Sequence, residues 1–224
     1  MKRGLALVEG QTEERFVNEC LAPYLLERGL ALKPTIVKTK RVMSGPHVKG
    51  GVVSFQQVQR DLGHLLHDTH ATVITTLLDY YALPAEFPGM ADRAGGTARA
   101  RVEYVEAAWA ASVGDSRFVP HLVLHELEAW VYACPSRLEP WMFDDDQAII
   151  PAIAAITDAH ATPEDIDEGP DTAPSKRLLR VFTAYQKTVH GPIAIAAIGI
   201  ERIRTACPHF ARWLDDLIAI AESP

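Results

Sequence analysis

Residues 71–81 read ATVITTLLDYY, and their reading decides the fold. From Ala71 to Leu78 the stretch is β-branched and apolar, which predicts the central strand of a sheet. It stops on a carboxylate, Asp79, with Tyr80 and Tyr81 behind it. A buried strand that ends on an acid places negative charge at the carboxyl end of a sheet, where α/β proteins keep their chemistry.

The same arrangement recurs on either side. Toward the N-terminus, Leu5 to Val8 reads as a buried strand that runs into Glu9 and turns at Gly10. Glu13 through Arg28 then carries Phe16, Val17, Cys20, Leu21, Tyr24 and Leu25 at helical spacing, with Thr12 as the expected N-cap. Pro34 to Lys38 is a second candidate strand, followed by a Gly-rich basic loop, KTKRVMSGPHVKGG, and a helical period from Val52 to His67. Downstream of the central strand, ALPAEFPGMADRAGG is a loop by composition, and Ala98 to Ser112 is helical. Phe118 to His125 is another strand, and HELEAWVYA returns to helix.

Strands alternating with helices describe an α/β fold, a mostly parallel sheet flanked by helices. Beyond Pro135 the pattern is helices and loops. The division expected is an α/β core over residues 1–134 and a helical C-terminal extension over residues 135–224 packed on it.

Composition narrows the function classes. A formal charge of -7 over 224 residues argues against coating nucleic acid by bulk electrostatics, because non-specific affinity comes mainly from phosphate neutralisation. A local basic strip could still serve, and Lys38, Lys40, Arg41, His47 and Lys49 form the densest one, suited to a nucleic-acid backbone. Cys20, Cys134 and Cys207 are scattered without CxxC spacing, so neither a disulfide framework nor a zinc site is suggested, and a cytoplasmic protein is expected. The longest apolar run near the C-terminus, Pro192 to Ile200, is far short of the ~20 residues of a membrane span.

Three expected strands end on acids: Glu9, Asp79, and Glu126 with Glu128. In a parallel sheet their side chains could converge, and convergent carboxylates repel unless a cation sits among them. Mg²⁺ or Mn²⁺, hard cations that take oxygen ligands, is the usual solution, and because Glu126 and Glu128 are two apart, at most one of them need point inward. Each acid also has an ordinary reading. Glu9 fits a loop or a helix start, Asp79 a turn, and Glu13 the favourable end of a helix dipole. The spacing of His121, His125 and Glu128 lacks HExxH order and does not favour zinc. Trp109, Trp130, Trp141 and Trp213 read as packing residues, and Pro208 in CPHF as the first residue of a helix.

Five separated blocks carry a resemblance across nearly the whole chain: VEGQTEERFV, TTLLDYYALPAEFPG, RFVPHLVLHELEAWVY, PEDIDEGPDTAPSKR and IGIERIRTACPHFARW. Together they resemble the prokaryotic family known as domain of unknown function 4276, which looks like a branch of the Toprim fold shared by topoisomerases, primases and certain nucleases. The resemblance implies a metal-dependent nuclease acting on DNA or RNA, working beside a separate ATPase in phage defence, with homo-oligomerisation open. It implies that Glu9 is the glutamate after the first strand and that Asp79 opens the DxD motif. Tyr81 stands where that motif has its second aspartate, and Glu126 or Glu128 could fill the vacancy; on this reading Glu9, Asp79 and Glu128 hold the metal and Glu126 assists. Lys176 is implied as the basic residue that opposes charge at the phosphate. The departure at Tyr81 also supports a rival expectation, a binding or regulatory module without catalysis. A phosphotransferase or small-phosphoester hydrolase would use the same residues.

Overall fold

All seven residues of the central strand, Val73–Asp79 (β3), are buried. The computed structural model describes residues 1–37, 54–81, 83–93, 95–166, 169 and 171–224. On one side of β3 lies β1 (Lys2–Val8), and beyond it β2 (Leu30–Ile36), every pairing parallel. The sheet order is β2-β1-β3-β4, the α/β arrangement expected, with helices on both faces and a helical C-terminal part.

On the other side of β3 the expected strand over 118–125 is divided into β4 (Phe118–Val119) and β5 (Leu122–Val123). Pro120 has no N–H to offer the ladder. Two threonine hydroxyls of β3 fill the gap. Thr75 Oγ1 donates to the Val119 carbonyl at 2.6 Å, and Thr76 Oγ1 bonds both the carbonyl and the N–H of His121 at 2.9 Å. The register carries through, Thr75 opposite Val119 and Leu78 opposite Leu122.

Side chains alternate between two cores, as a strand period of two requires. Ala6 and Val8 of β1, with Val73 and Leu77 of β3, face a large core, while Leu5, Leu7, Ile74 and Leu78 face a smaller one. The smaller core is closed by α3 (Phe55–Leu66) and α4 (Ala98–Val113), through Val58, Leu62, Val102 and Trp109.

The larger core is shared between the sheet and the C-terminal helices: α5 (Ile149–Asp158), α6 (Pro174–Val181), α7 (His190–Ile198), α8 (Ile200–Ala206) and α9 (Pro208–Glu222). Phe16, Trp130 and Phe210 meet there, ring centroids 4.8 Å apart for Phe16–Trp130 and for Trp130–Phe210. Removing such a buried ring costs about 3–5 kcal/mol, so the two parts of the chain support one another. Pro208 is the first residue of α9, as expected. Three of the four tryptophans pack inside, but Trp141 is 60% exposed and is not a packing residue.

The first helical segment begins earlier than the sequence suggests. Gly10, not Thr12, is the N-cap of α1 (Gln11–Phe16), because the Gly10 carbonyl already accepts the Glu14 N–H at 3.0 Å. A π-turn over Val17–Leu21 and α2 (Ala22–Leu26) continue it. Among the described residues no helix is long and apolar enough to cross a membrane.

A candidate site at the carboxyl edge of the sheet

Register brings the first two acids together. Val8 pairs with Leu77, so Glu9 leaves β1 just as β3 reaches its last residue, Asp79. The Glu9 N–H donates to the Leu77 carbonyl at 3.1 Å, and Glu9 Oε2 accepts the Asp79 N–H at 3.0 Å. Glu13, one turn into α1, points back to the same place and accepts the Gly10 N–H at 2.9 Å on Oε2.

The third contribution comes from the turn after β5. His125 has a left-handed backbone, φ 67°, unusual for a residue with a side chain. Its carbonyl accepts the Tyr81 N–H at 3.0 Å, so the turn is tied to the residues that follow β3. The turn opens a 3-10 helix, Leu127–Tyr132, whose Leu127 N–H donates to Asp79 Oδ1 at 3.1 Å. Glu128, on its first turn, is 1% exposed.

Lys187, on the loop between α6 and α7, joins them. Its ammonium lies 3.2 Å from Asp79 Oδ2 and 3.1 Å from Glu128 Oε2. Tyr185, two residues earlier, brings its hydroxyl to 3.5 Å from Glu128 Oε1. The Lys187 side chain keeps 40% of its surface accessible, while Asp79 and Glu128 beneath it are 6% and 1% exposed.

Electrostatics follow from five carboxylates around one ammonium. Burial, then the neighbouring Asp79 charge, pushes Glu9 up to about 8 and Glu13 up to about 7. Burial pushes Glu128 up to about 8 although Lys187 opposes it, and Asp79 is also raised by burial. Burial pulls Lys187 down, but the charges of Asp79, Glu128, Glu13 and Glu126 outweigh it and hold the ammonium above its ordinary range. Lys187 therefore stays protonated, and its one charge is too little for its surroundings.

Of the residues expected from sequence, Glu9, Asp79 and Glu128 lie at this edge. Glu126 lies beside them with both oxygens engaged, accepting the Ser175 N–H and hydroxyl at 3.0 Å each. It thereby caps the N-terminus of α6. Lys176, the next residue of α6, is exposed, and Lys187 is the lysine that reaches the carboxylates. Lys38, Lys40, Arg41, His47 and Lys49 lie outside the described residues. Tyr80 is buried, its hydroxyl without a hydrogen-bond partner.

A second group was not anticipated. Glu106 of α4, His121 between β4 and β5, and His209 of α9 bring one ligand atom each within 4.8 Å of one another, and such a set could hold a metal ion. His209 Nε2 is 3.0 Å from Glu106 Oε2, and His121 Nδ1 is 3.6 Å from Oε1. The two imidazoles are stacked, centroids 4.7 Å apart and 22° from parallel, and His121 also stacks on Trp213 at 4.3 Å. Imidazole lone pairs lie in the ring plane, so an ion shared by both rings would require them to turn out of the stack. The Leu122 N–H and the Arg212 guanidinium already occupy Glu106, at 2.8 Å and 3.4 Å. His121, Glu128 and His125 do not form a zinc triad: His121 joins this stack and Glu128 joins Lys187.

The fold and the acidic edge together define a parallel α/β protein with carboxylates gathered at the ends of its inner strands. The chain belongs to the family described as domain of unknown function (DUF4276), whose model matches residues 8–218. No curated protein and no solved structure matches it.

Proposed function

We propose that the chain is a divalent-metal-dependent phosphodiesterase of Toprim-like type that cleaves nucleic acid at the carboxyl edge of β1 and β3. The observation that carries this reading is the meeting of three acids: Glu9 accepts the Asp79 N–H, and Asp79 shares the Lys187 ammonium with Glu128, which stands on the 3-10 helix after β5. The donor set is all oxygen, which suits Mg²⁺ or Mn²⁺ rather than a soft metal. Burial, with the neighbouring acids adding to it, raises Glu9, Glu13 and Glu128, and a bound cation would favour their charged forms.

Glu9, Asp79 and Glu128 would hold the ion, which would supply Lewis-acid polarisation of the phosphoryl group. Lys187 is placed to oppose charge that develops on a phosphate oxygen, the part the family resemblance had implied for Lys176. Glu126 holds α6, and so the start of the segment leading to Lys187, against the site.

A chain of net charge -7 gains from a partner that brings positive surface to the nucleic acid, and a separate ATPase acting with it in phage defence fits that need. The rival, a module that binds without cleaving, draws on Tyr81 in place of an acid and on the lysine already seated between the carboxylates. Incubating the purified protein with Mn²⁺ and labelled single-stranded DNA, duplex DNA, RNA and small phosphoesters separates these readings. Cleavage of a polynucleotide that is lost in Asp79→Asn supports the nuclease. Cleavage of small esters alone, or none, overturns it.

A further inference from the structure

We propose that Lys187 is an exchangeable counter-ion: it occupies the divalent-cation position between Asp79 and Glu128 and yields it only when a phosphodiester is there to receive the ammonium. The inference rests on the phosphodiesterase reading above and adds that metal and nucleic-acid binding are mutually dependent at this site.

The geometry points to exchange in three ways. The ammonium is 3.2 Å from Asp79 Oδ2 and 3.1 Å from Glu128 Oε2, between the two oxygens that would bridge an ion. A divalent ion needs oxygens at roughly 2.0–2.6 Å, so ammonium and ion cannot share that space. Glu128 Oε2, in a residue 1% exposed, has the Lys187 ammonium at 3.1 Å but out of good hydrogen-bond alignment, so charge is the larger part of what holds it. A buried carboxylate oxygen left this way is one that a better-fitting cation would complete.

Lys187 also has somewhere to go. It stands on the loop between α6 and α7, with 40% of its side chain accessible, on a flexible four-carbon stem that can swing outward without backbone rearrangement. Leaving is unfavourable unless two conditions are met together: a cation must replace it among the carboxylates, and an anion must receive it outside. A phosphodiester oxygen meets the second condition. Each ligand therefore removes an obstacle to the other, and linkage requires the effect to be reciprocal.

Free Mn²⁺ measured by electron paramagnetic resonance reads this without relying on cleavage. The full chain is titrated alone and with a cleavage-resistant phosphorothioate oligonucleotide, after subtraction of Mn²⁺ bound by the oligonucleotide itself. An uncharged methylphosphonate of the same sequence is the control. For the unaltered protein, the phosphorothioate should tighten Mn²⁺ binding about 10-fold, within the usual range of such linkage, and the methylphosphonate should not. Lys187→Met should bind Mn²⁺ about 10-fold more tightly than the unaltered protein without any oligonucleotide, and gain nothing further from it.

Equal Mn²⁺ affinity with and without the phosphorothioate in the unaltered protein overturns the exchange, and that arm does not depend on the variant folding. Weaker Mn²⁺ binding in a folded Lys187→Met also overturns it. Binding of Mn²⁺ and cleavage without linkage leaves the phosphodiesterase reading intact while defeating the exchange. Absence of Mn²⁺ binding from both proteins defeats both.

Discussion

The backbone N–H of Asp79 donates to the Glu9 carboxylate at 3.0 Å, joining two residues 70 positions apart across the ends of β1 and β3. The bond holds the Glu9 carboxyl against another acid instead of in water. Glu9→Gln keeps an acceptor for that N–H and removes the charge. It should raise the melting temperature of the metal-free protein at pH 8, by about 2–4 °C for each kcal/mol of repulsion relieved. Mn²⁺-supported cleavage should fall about 100-fold or more, since losing a charged ligand costs at least what losing a ligand's supporting partner does. Thermal melting and an oligonucleotide cleavage assay check the two halves, and a fall in melting temperature would contradict the electrostatic account.

Stability should depend on pH in a defined direction. Glu13, Glu9 and Glu128 are held at about 7, 8 and 8 against an ordinary 4.5. The folded chain binds these protons more tightly than the unfolded chain does. The contribution is therefore complete below about 4.5 and is lost as pH rises through 7 to 8. Metal-free protein should melt at progressively lower temperature from about pH 5 to pH 9, and added Mn²⁺ should restore more at the upper end than at the lower. A melting temperature that climbs over this interval would refute it.

Glu126 is expected to act on stability as well as on chemistry. Its two bonds to Ser175 cap α6, and Glu126→Ala removes both. A loss of about 1 kcal/mol, typical of a helix cap, should follow. Ser175→Ala, which keeps the N–H bond, should cost less. Denaturant titration of the two variants gives the comparison, and equal losses would mean that the hydroxyl rather than the backbone N–H carries the cap.

His121 offers a test of the second cluster. Neither of its ring nitrogens has a hydrogen-bond partner, while its ring stacks on Trp213 and His209. His121→Phe keeps a flat ring in the stack and removes two buried polar atoms, so stability should hold or rise by about 1 kcal/mol. A metal ion coordinated by Glu106, His121 and His209 would reverse the outcome: the variant would lose stability, and elemental analysis would find the metal only in the unaltered protein.

Much of the sheet was legible because its signals are local. The β-branched run ending at Asp79 and the short run ending at Glu9 each declare a strand and an acid within a few residues. Their convergence follows from parallel pairing alone. Lys187 was not legible. It lies in an ordinary polar loop, 108 residues from Asp79, and only the packing of α6 and α7 on the shared core brings it to the carboxylates. Glu13 was set aside for a similar reason: an acid in a first turn has a sufficient local explanation, and its second role depends on where α1 points. The split of the strand over 118–125 was available in Pro120, but the threonine hydroxyls that bridge it belong to another strand.

The acids at the sheet edge come from residues 9 to 128, whereas their counter-charge comes from residue 187. Recombination that swapped the C-terminal third for an unrelated segment would leave the negative charges behind without their cation. Such a chimera would inherit the sheet's repulsion with nothing to offset it, so each segment depends on the other for its charge balance.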